Sequence, residues 1–230
     1  MAARKALIMG LLLATAAPAL IPSALAQEGS DGITSGLYVG LRGSYSFSGN
    51  HVTTWAPTTP MTRLRGSYAS GGGASAVIGT HLPLNLRMEV EGIYRYQPLS
   101  KVSLDGVQVA ASGHSQSAGA MMNLLWDIPV PLESPIQPFV GMGIGVLHAD
   151  IDMAGGGNTY MHQSRWDPAY SFMTGFALPL DETSRLTAMY RWTQTIHSPH
   201  SCAVSGSLQS NCLNNPVDNS SVDLGYEMEL

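Results

Sequence analysis

The sequence predicts an all-β fold, namely an eight-stranded antiparallel up-and-down transmembrane β-barrel preceded by a cleavable signal peptide. Eight stretches alternate apolar residues with small, polar or charged ones. Long polar connections alternate with short ones along the chain, as in transmembrane barrels. The 230-residue chain has 25 glycines and, after its N-terminal region, no apolar run of the roughly 18 residues that a spanning helix needs.

The N-terminal region has the three parts of a secretory signal peptide. Arg4 and Lys5 precede an apolar run that ends in the small residues Ala24, Leu25 and Ala26. We expect cleavage after Ala26, which gives a signal peptide at 1–26, a short N-terminal periplasmic segment at 27–35 and an outer-membrane barrel domain at 36–230. The mature chain then carries nine Lys and Arg against sixteen Asp and Glu, a formal charge of −7 that argues against a nucleic-acid partner.

Each predicted strand has one apolar face, because successive residues of a strand point to opposite sides. In the first four strands this face consists of Leu37, Val39, Leu41, Tyr45 and Phe47, then Ala74, Ala76 and Ile78, then Leu86, Met88, Val90, Tyr94 and Tyr96, then Ala118, Ala120, Met122, Leu124 and Trp126. In the last four it consists of Val140, Met142, Ile144 and Val146, then Trp166, Tyr170, Phe172, Phe176 and Leu178, then Leu186, Ala188, Tyr190 and Trp192, then Val222, Leu224, Tyr226, Met228 and Leu230.

The opposite face mixes small residues with ions of both signs. The predicted lumen charge network consists of Arg42, Arg87, Glu89, Glu91, Arg95, Arg185, Arg191, Asp223 and Glu227. Eight strands enclose only enough space for side chains, and buried charges are tolerable when they are paired. Aromatic residues near strand ends, such as Trp126 and Trp192, fit interfacial girdles. The alternative is a soluble periplasmic barrel whose charges face water.

The connections fall into two classes. Short turns are predicted around Pro83–Asn85, Ile128–Gln137 and Asp181–Ser184. Long polar loops are predicted around Gly49–Arg65, Gln97–Gln116, Ala149–Arg165 and Ile196–Ser221. Both termini are therefore expected at the short-turn, periplasmic rim. Strand eight must pair with strand one, because lipid offers no hydrogen bonds to an open sheet edge.

Two cysteines, Cys202 and Cys212, lie close together in the last long loop. In an oxidising compartment we expect them to form a disulfide. The seven histidines show no paired ligand spacing, so the sequence predicts no metal site and no cofactor.

Several short motifs resemble the opacity-protein and outer-membrane-protein-A-like family of eight-stranded barrels. They are Gly36–Gly40, Asn85–Glu91, Pro138–Gly145 and Tyr190–Trp192, in an order that covers about Gly36 to Leu230. The resemblance implies integral outer-membrane localisation and insertion by the barrel-assembly machinery. It makes Val222, Leu224, Tyr226, Met228 and Leu230 the membrane-assembly strand. Leu230 departs from the terminal aromatic that the family favours.

Three functions are compatible with such a barrel. The first is a structural or surface-interaction role, adhesion-type, in which the barrel anchors four exposed loops that contact a host or cell-surface ligand. Outer-membrane lipid and lipopolysaccharide are further expected partners. The alternative is a narrow porin-like channel lined by Arg42, Arg87, Glu89, Glu91 and Arg191. The third is a lipid-modifying enzyme. His197 and Ser198 invite comparison with lipid A deacylases, but their spacing departs from the His-x-Ser-Asn pattern, so we predict no catalytic residue and no enzyme.

Overall fold

The structure is a computed structural model that describes residues 36–47, 51–56, 62–104, 106–109, 111–131, 134–155, 159–196, 200–204, 207–212 and 218–230. The expected signal peptide at 1–26 and the segment at 27–35 lie outside the described residues. Within those ranges, we find no helix with the length and apolar character needed to span a membrane.

Thirteen strands occur in the described part of the chain. They are β1 (Leu37–Ser46), β2 (His51–Ala56), β3 (Thr62–Tyr68), β4 (Gly71–Leu82), β5 (Leu86–Leu104), β6 (Val107–Val109), β7 (Ala111–Asp127), β8 (Gln137–Gly155), β9 (Thr159–Pro179), β10 (Ser184–Thr195), β11 (His200–Val204), β12 (Ser207–Cys212) and β13 (Asp218–Glu229). Eight of them form a closed ring in the order β1-β4-β5-β7-β8-β9-β10-β13, in which β13 pairs back to β1. Every pairing in the ring is antiparallel, so the predicted eight-stranded barrel is confirmed.

The two faces of the barrel strands have opposite chemistry. Leu41 on β1 and Ile144 on β8 are 70% and 67% exposed, whereas Arg42, the neighbour of Leu41, is 3% exposed. The outward face is therefore apolar, whereas the inward face carries the polar and charged residues together with buried apolar ones such as Met121 and Leu125. An apolar belt of this extent around a closed sheet is the surface that contacts lipid.

Tight turns connect the barrel strands at one rim. Between β4 and β5, Leu82 pairs with Leu86 across a three-residue loop, in which Leu84 and Asn85 have φ values of 66° and 59°, in the left-handed region. Between β9 and β10, the Asp181 carboxylate accepts hydrogen bonds from the backbone N–H groups of Thr183 and Ser184, both at 2.8 Å. These two connections match the predicted short turns.

At the opposite rim, two predicted loops are largely strand. β5 continues to Leu104 and β7 begins at Ala111, within the predicted loop Gln97–Gln116. β8 and β9 remain paired up to Gly155 and Thr159, within the predicted loop Ala149–Arg165. Above the lipid, both faces of a strand can be polar, so these segments show little of the alternation that marks the membrane-spanning part.

The other two long connections also contain strands. β2 and β3 form a hairpin, and β3 pairs with the upper part of β5. β11 pairs with β12 and, near Val204, with β9. The sheet thus continues beyond the ring at this rim, which we call the long-hairpin rim.

Candidate functional site

The predicted lumen charges lie inside the barrel. Eight of the nine side chains are buried, and Arg185 is partly exposed near the short-turn rim. The buried ones are Arg42, Arg87, Glu89, Glu91, Arg95, Arg191, Asp223 and Glu227. They belong to β1, β5, β10 and β13, which face one another or neighbour one another around the ring.

The lower ion cluster begins with Arg42 on β1. Its guanidinium donates to both oxygens of Glu89, at 3.0 and 2.6 Å, and to Glu227 Oε1 at 2.7 Å. Tyr38, which is not part of the predicted network, donates its hydroxyl to Glu89 Oε1 at 2.8 Å. Arg42 therefore joins two carboxylates from strands on either side of it, a geometry that strengthens charged hydrogen bonds.

Arg87 extends this cluster toward the short-turn rim. It donates to Asp127 Oδ1 through Nε and Nη2, at 3.0 and 2.8 Å, and to Glu227 Oε2 at 3.3 Å. The guanidinium also lies over the ring of Phe139, 5.0 Å from the centroid. Arg185 donates to the same Glu227 oxygen at 2.7 Å. Glu227 thus receives hydrogen bonds from three arginines.

Arg191 forms the upper ion cluster. Its two terminal nitrogens donate to Glu91 at 2.7 and 2.9 Å, and its Nε lies 3.0 Å from Asp223 Oδ2 as an ion pair without hydrogen-bond alignment. Asn123 donates to Glu91 at 2.7 Å, and Ser221 donates to Asp223 at 2.8 Å. Two carboxylates are therefore oriented toward one arginine.

Glycines make room for these large side chains. A Cβ on Gly225 would come within 2.7 Å of Arg42 Cγ, and one on Gly40 would come within 2.8 Å of Glu227 Cγ. A Cβ on Gly143 would press against Asn123 and Ser171. Gly141, Gly143 and Gly145 make the inward face of β8 nearly flat, which explains why the lumen can hold side chains from the facing strands.

The lumen charges balance. Among the described side chains in the interior of the lumen, six arginines stand against six carboxylates, whereas Glu229 on the same face of β13 lies half exposed at the short-turn rim. The arginines are Arg42, Arg87, Arg95, Arg165, Arg185 and Arg191, and the carboxylates are Glu89, Glu91, Asp127, Asp167, Asp223 and Glu227. Asp127, Arg165 and Asp167 were missed from the predicted network. Alternation puts Asp127, which follows Trp126, on the inward face, but alternation predicts no partner for it. Arg165 falls in a predicted loop, so for this residue the missing signal was the continuation of the strand.

Two cavities lie on either side of the ion clusters. A vestibule of about 430 Å³ opens at the short-turn rim, lined by residues that include Tyr38, Asp127 and Arg185. A smaller cavity of about 40 Å³ is lined by Arg95, Thr193 and others nearer the long-hairpin rim. On β5 the ion-cluster residues Arg87, Glu89 and Glu91 lie between Leu86, which lines the vestibule, and Arg95.

The remaining predicted residues are the two cysteines, His197 and Ser198, and the membrane-assembly strand. In the β11–β12 pair, Cys202 lies opposite Gln209 and Cys212 lies opposite His200. The structure does not describe the side chains of this segment, so the disulfide stays a prediction. His197 and Ser198 lie outside the described residues. The assembly-strand residues Val222, Leu224, Tyr226, Met228 and Leu230 lie in or directly after β13 with outward, exposed side chains, and their role in assembly stays a prediction.

Comparison with known proteins identifies one curated relative. No protein-family model matches the chain. An outer membrane protein of Gluconacetobacter diazotrophicus is 29% identical over 196 residues, covering 78% of this chain and 51% of that protein. The chain thus spans about half the length of the curated relative.

Solved structures share the fold. OprG from Pseudomonas aeruginosa superposes with a TM-score of 0.55 at 12% identity, covering 86% of this chain and 99% of that one. Neisserial surface protein A gives 0.52 at 15% identity, covering 84% and 97%. The outer membrane protease OmpT from Escherichia coli gives 0.52 at 5% identity, also covering 84% and 97%. The fold is that of an outer-membrane β-barrel, and its lipid-facing belt and curated relative agree with integral outer-membrane localisation.

Proposed function

We propose that this outer-membrane barrel is a closed membrane anchor with a surface-interaction role, adhesion-type, and that it is not an enzyme. The observation that best supports this proposal is the pair of ion clusters in the middle of the lumen. Arg87, Glu91 and Arg191 are each 0% exposed and are held by neighbouring side chains through hydrogen bonds of 2.7–3.3 Å. Such a network supports a plugged interior, because water and ions would have to displace several charged hydrogen bonds.

The sheet beyond the lipid belt supports the surface role. Four segments continue β5, β7, β8 and β9 past the apolar belt, namely 97–104, 111–117, 147–155 and 159–167. We call these segments together the hairpin wall. The hairpin wall has its own buried residues, Val102 at 0% and Ile151 at 1% exposure. Paired strands with a packed interior hold loop tips in a defined position, which lowers the ordering cost of binding. With the short turns on the periplasmic side, the hairpin wall faces the cell exterior.

Binding and conductance measurements test this proposal. Outer-membrane vesicles carrying the wild-type protein should bind host or bacterial cell surfaces, and replacing 200–212 or 153–161 with a short Gly-Ser linker should reduce binding. A Glu182→Gln variant in a short turn is the matched control and should bind normally. Mobility of heated and unheated samples on a gel verifies that each barrel is folded. Full binding by both folded deletion variants would contradict the surface role.

A narrow pore is the second candidate, and the two cavities favour it. The vestibule and the smaller cavity lie toward opposite ends of the lumen, and the ion clusters and buried apolar side chains such as Ile93 and Met121 separate them. A rearrangement of these side chains would connect the cavities. Planar-bilayer recordings separate the candidates: the anchor is expected to give no stable conductance, whereas reproducible channels altered by Arg191→Met would establish the pore. We also propose lipopolysaccharide and a cell-surface ligand as partners of the barrel.

A further inference from the structure

One lumen arginine lacks the carboxylate partner that the others have. Within the described residues, Arg42, Arg87, Arg165, Arg185 and Arg191 each have a carboxylate oxygen within 4.0 Å. Arg95 has no such ion pair there, although it is only 5% exposed. Within the described residues, Arg95 donates one long hydrogen bond, 3.4 Å from Nη1 to Thr193 Oγ1, and its Nε has no hydrogen-bond partner.

The two carboxylates that act electrostatically on Arg95 are in direct contact with another arginine. Glu91 and Asp223 both interact with Arg191, through hydrogen bonds at 2.7 and 2.9 Å and an ion pair at 3.0 Å. Asn123 and Ser221 hold these two carboxylates in place. Carboxylates elsewhere in the lumen therefore balance the positive charge of Arg95, but none of those described contacts it directly. A buried cation without a direct partner costs free energy.

Arg95 lies at a cavity of about 40 Å³ whose other polar walls are neutral. The polar side chains that line it with Arg95 are Gln97, Ser115, Ser117, Thr193, Thr195 and Asn219. Asn219 donates to Gln97 Oε1 at 3.1 Å, and Gln97 Nε2 donates to backbone oxygens, so the two amides are fixed in orientation. Hydroxyl groups can rotate to donate a proton into the cavity. No carboxylate occurs among the described residues of this lining.

We propose that this cavity is a binding site for a small inorganic anion of the chloride class. A guanidinium and several hydroxyl donors in a place without carboxylates are the chemistry that holds an anion. The volume of about 40 Å³ admits a monatomic ion with little water, since each buried water needs at least ~10–15 Å³ of such space. It is too small for a sugar or a nucleotide. The inference does not depend on whether the barrel is an anchor or a pore.

The anion dependence of stability tests the site. The purified protein in detergent is heated in sodium chloride, sodium bromide or sodium gluconate at equal ionic strength, and the unfolding midpoint is followed by the gel shift and tryptophan fluorescence. We expect a higher midpoint in chloride and bromide than in gluconate, because a ligand that binds only the folded state stabilises it. Arg95→Gln should abolish that difference, whereas Arg185→Gln, at the other end of the lumen, should keep it.

Two further measurements cover the case in which Arg95→Gln does not fold. Thr193→Val retains the guanidinium and should weaken the apparent bromide affinity at least about tenfold, the loss expected for one hydrogen bond to a charged group. Crystals grown in bromide should show anomalous scattering beside the Arg95 guanidinium. Equal midpoints in all three salts, an unchanged anion effect in folded Arg95→Gln, or water alone at that position in the bromide crystals would overturn the proposal.

Discussion

Replacing Arg191 with methionine should destabilise the barrel strongly. The substitution removes two hydrogen bonds to Glu91 and the ion pair to Asp223 from a side chain that is 0% exposed. Glu91 keeps the Asn123 donor at 2.7 Å and an ion pair with Arg42 at 3.7 Å, and Asp223 keeps the Ser221 donor at 2.8 Å, so neither carboxylate loses all its partners. We therefore expect a loss of about 3–5 kcal/mol in the free energy of unfolding, the range for removing one partner of a buried ion pair.

Urea titration of the protein in lipid vesicles, followed by tryptophan fluorescence, measures this loss. With an unchanged slope of ~2–3 kcal/mol/M, the unfolding midpoint should fall by roughly 1–2 M. Arg185→Met is the matched control. Its side chain is 15% exposed and contacts Glu227, which keeps Arg42 and Arg87, so we expect a loss of only about 1–2 kcal/mol.

A combined variant tests the physical cause. If unpaired buried carboxylates carry the cost, then adding Glu91→Gln and Asp223→Asn to Arg191→Met should recover much of the lost stability. The reasoning is refuted if Arg191→Met stays within about 1 kcal/mol of the wild type or costs no more than Arg185→Met. It is also refuted if neutralising both carboxylates recovers nothing.

Three other predictions concern packing, pH and lipid contact. Gly79→Ala places a methyl group against the Tyr38 ring and should cost about 1–3 kcal/mol, whereas Gly92→Ala, where nothing lies within 4 Å, should cost almost nothing in the same urea titration. Hydrogen bonds from Ser184 and Thr183 lower the pKa of Asp181 from 3.8 to about 2. The ionised carboxylate therefore stabilises the turn above pH ~4, and this stabilisation is lost as the pH falls to ~2. Asp181→Asn should make amide exchange in the turn less dependent on pH over this range. Ile144→Arg, in the lipid belt, should cost about 2–4 kcal/mol, whereas Ile144→Leu should be tolerated, as measured by refolding yield in vesicles.

The barrel strands could be predicted because lipid and lumen impose opposite chemistry on alternate residues. On β5, Met88 and Val90 face lipid while Glu89 and Glu91 are buried in the lumen, and this contrast is visible in the sequence itself. The hairpin wall could not be predicted in the same way. Above the lipid belt, as between Gln97 and Gln116, no lipid requires an apolar outward face, so the sequence has no reason to alternate regularly.

The inward direction of the charges was also predictable, but their partners were not. Arg42 on β1 reaches Glu89 on β5 across the intervening β4, and Arg191 on β10 reaches Glu91 from another side of the ring. Such pairs depend on the stagger between strands that are not neighbours, which alternation along one strand does not encode. Asp127 shows the same limit, because its inward position followed from the pattern while its pairing with Arg87 did not.

The length of β8 sets how far the protein reaches from the membrane. Its outward apolar residues end at Val146, and Leu147–Gly155 continue the strand for nine residues. At ~3.3 Å per residue this is about 30 Å of strand, and a tilt of ~35–45° converts it to roughly 20 Å of height above the hydrocarbon. A hairpin of that height extends beyond the headgroup layer of the bilayer. Beyond the headgroups, the paired strands β8 and β9 present a surface that a barrel with flush loops lacks.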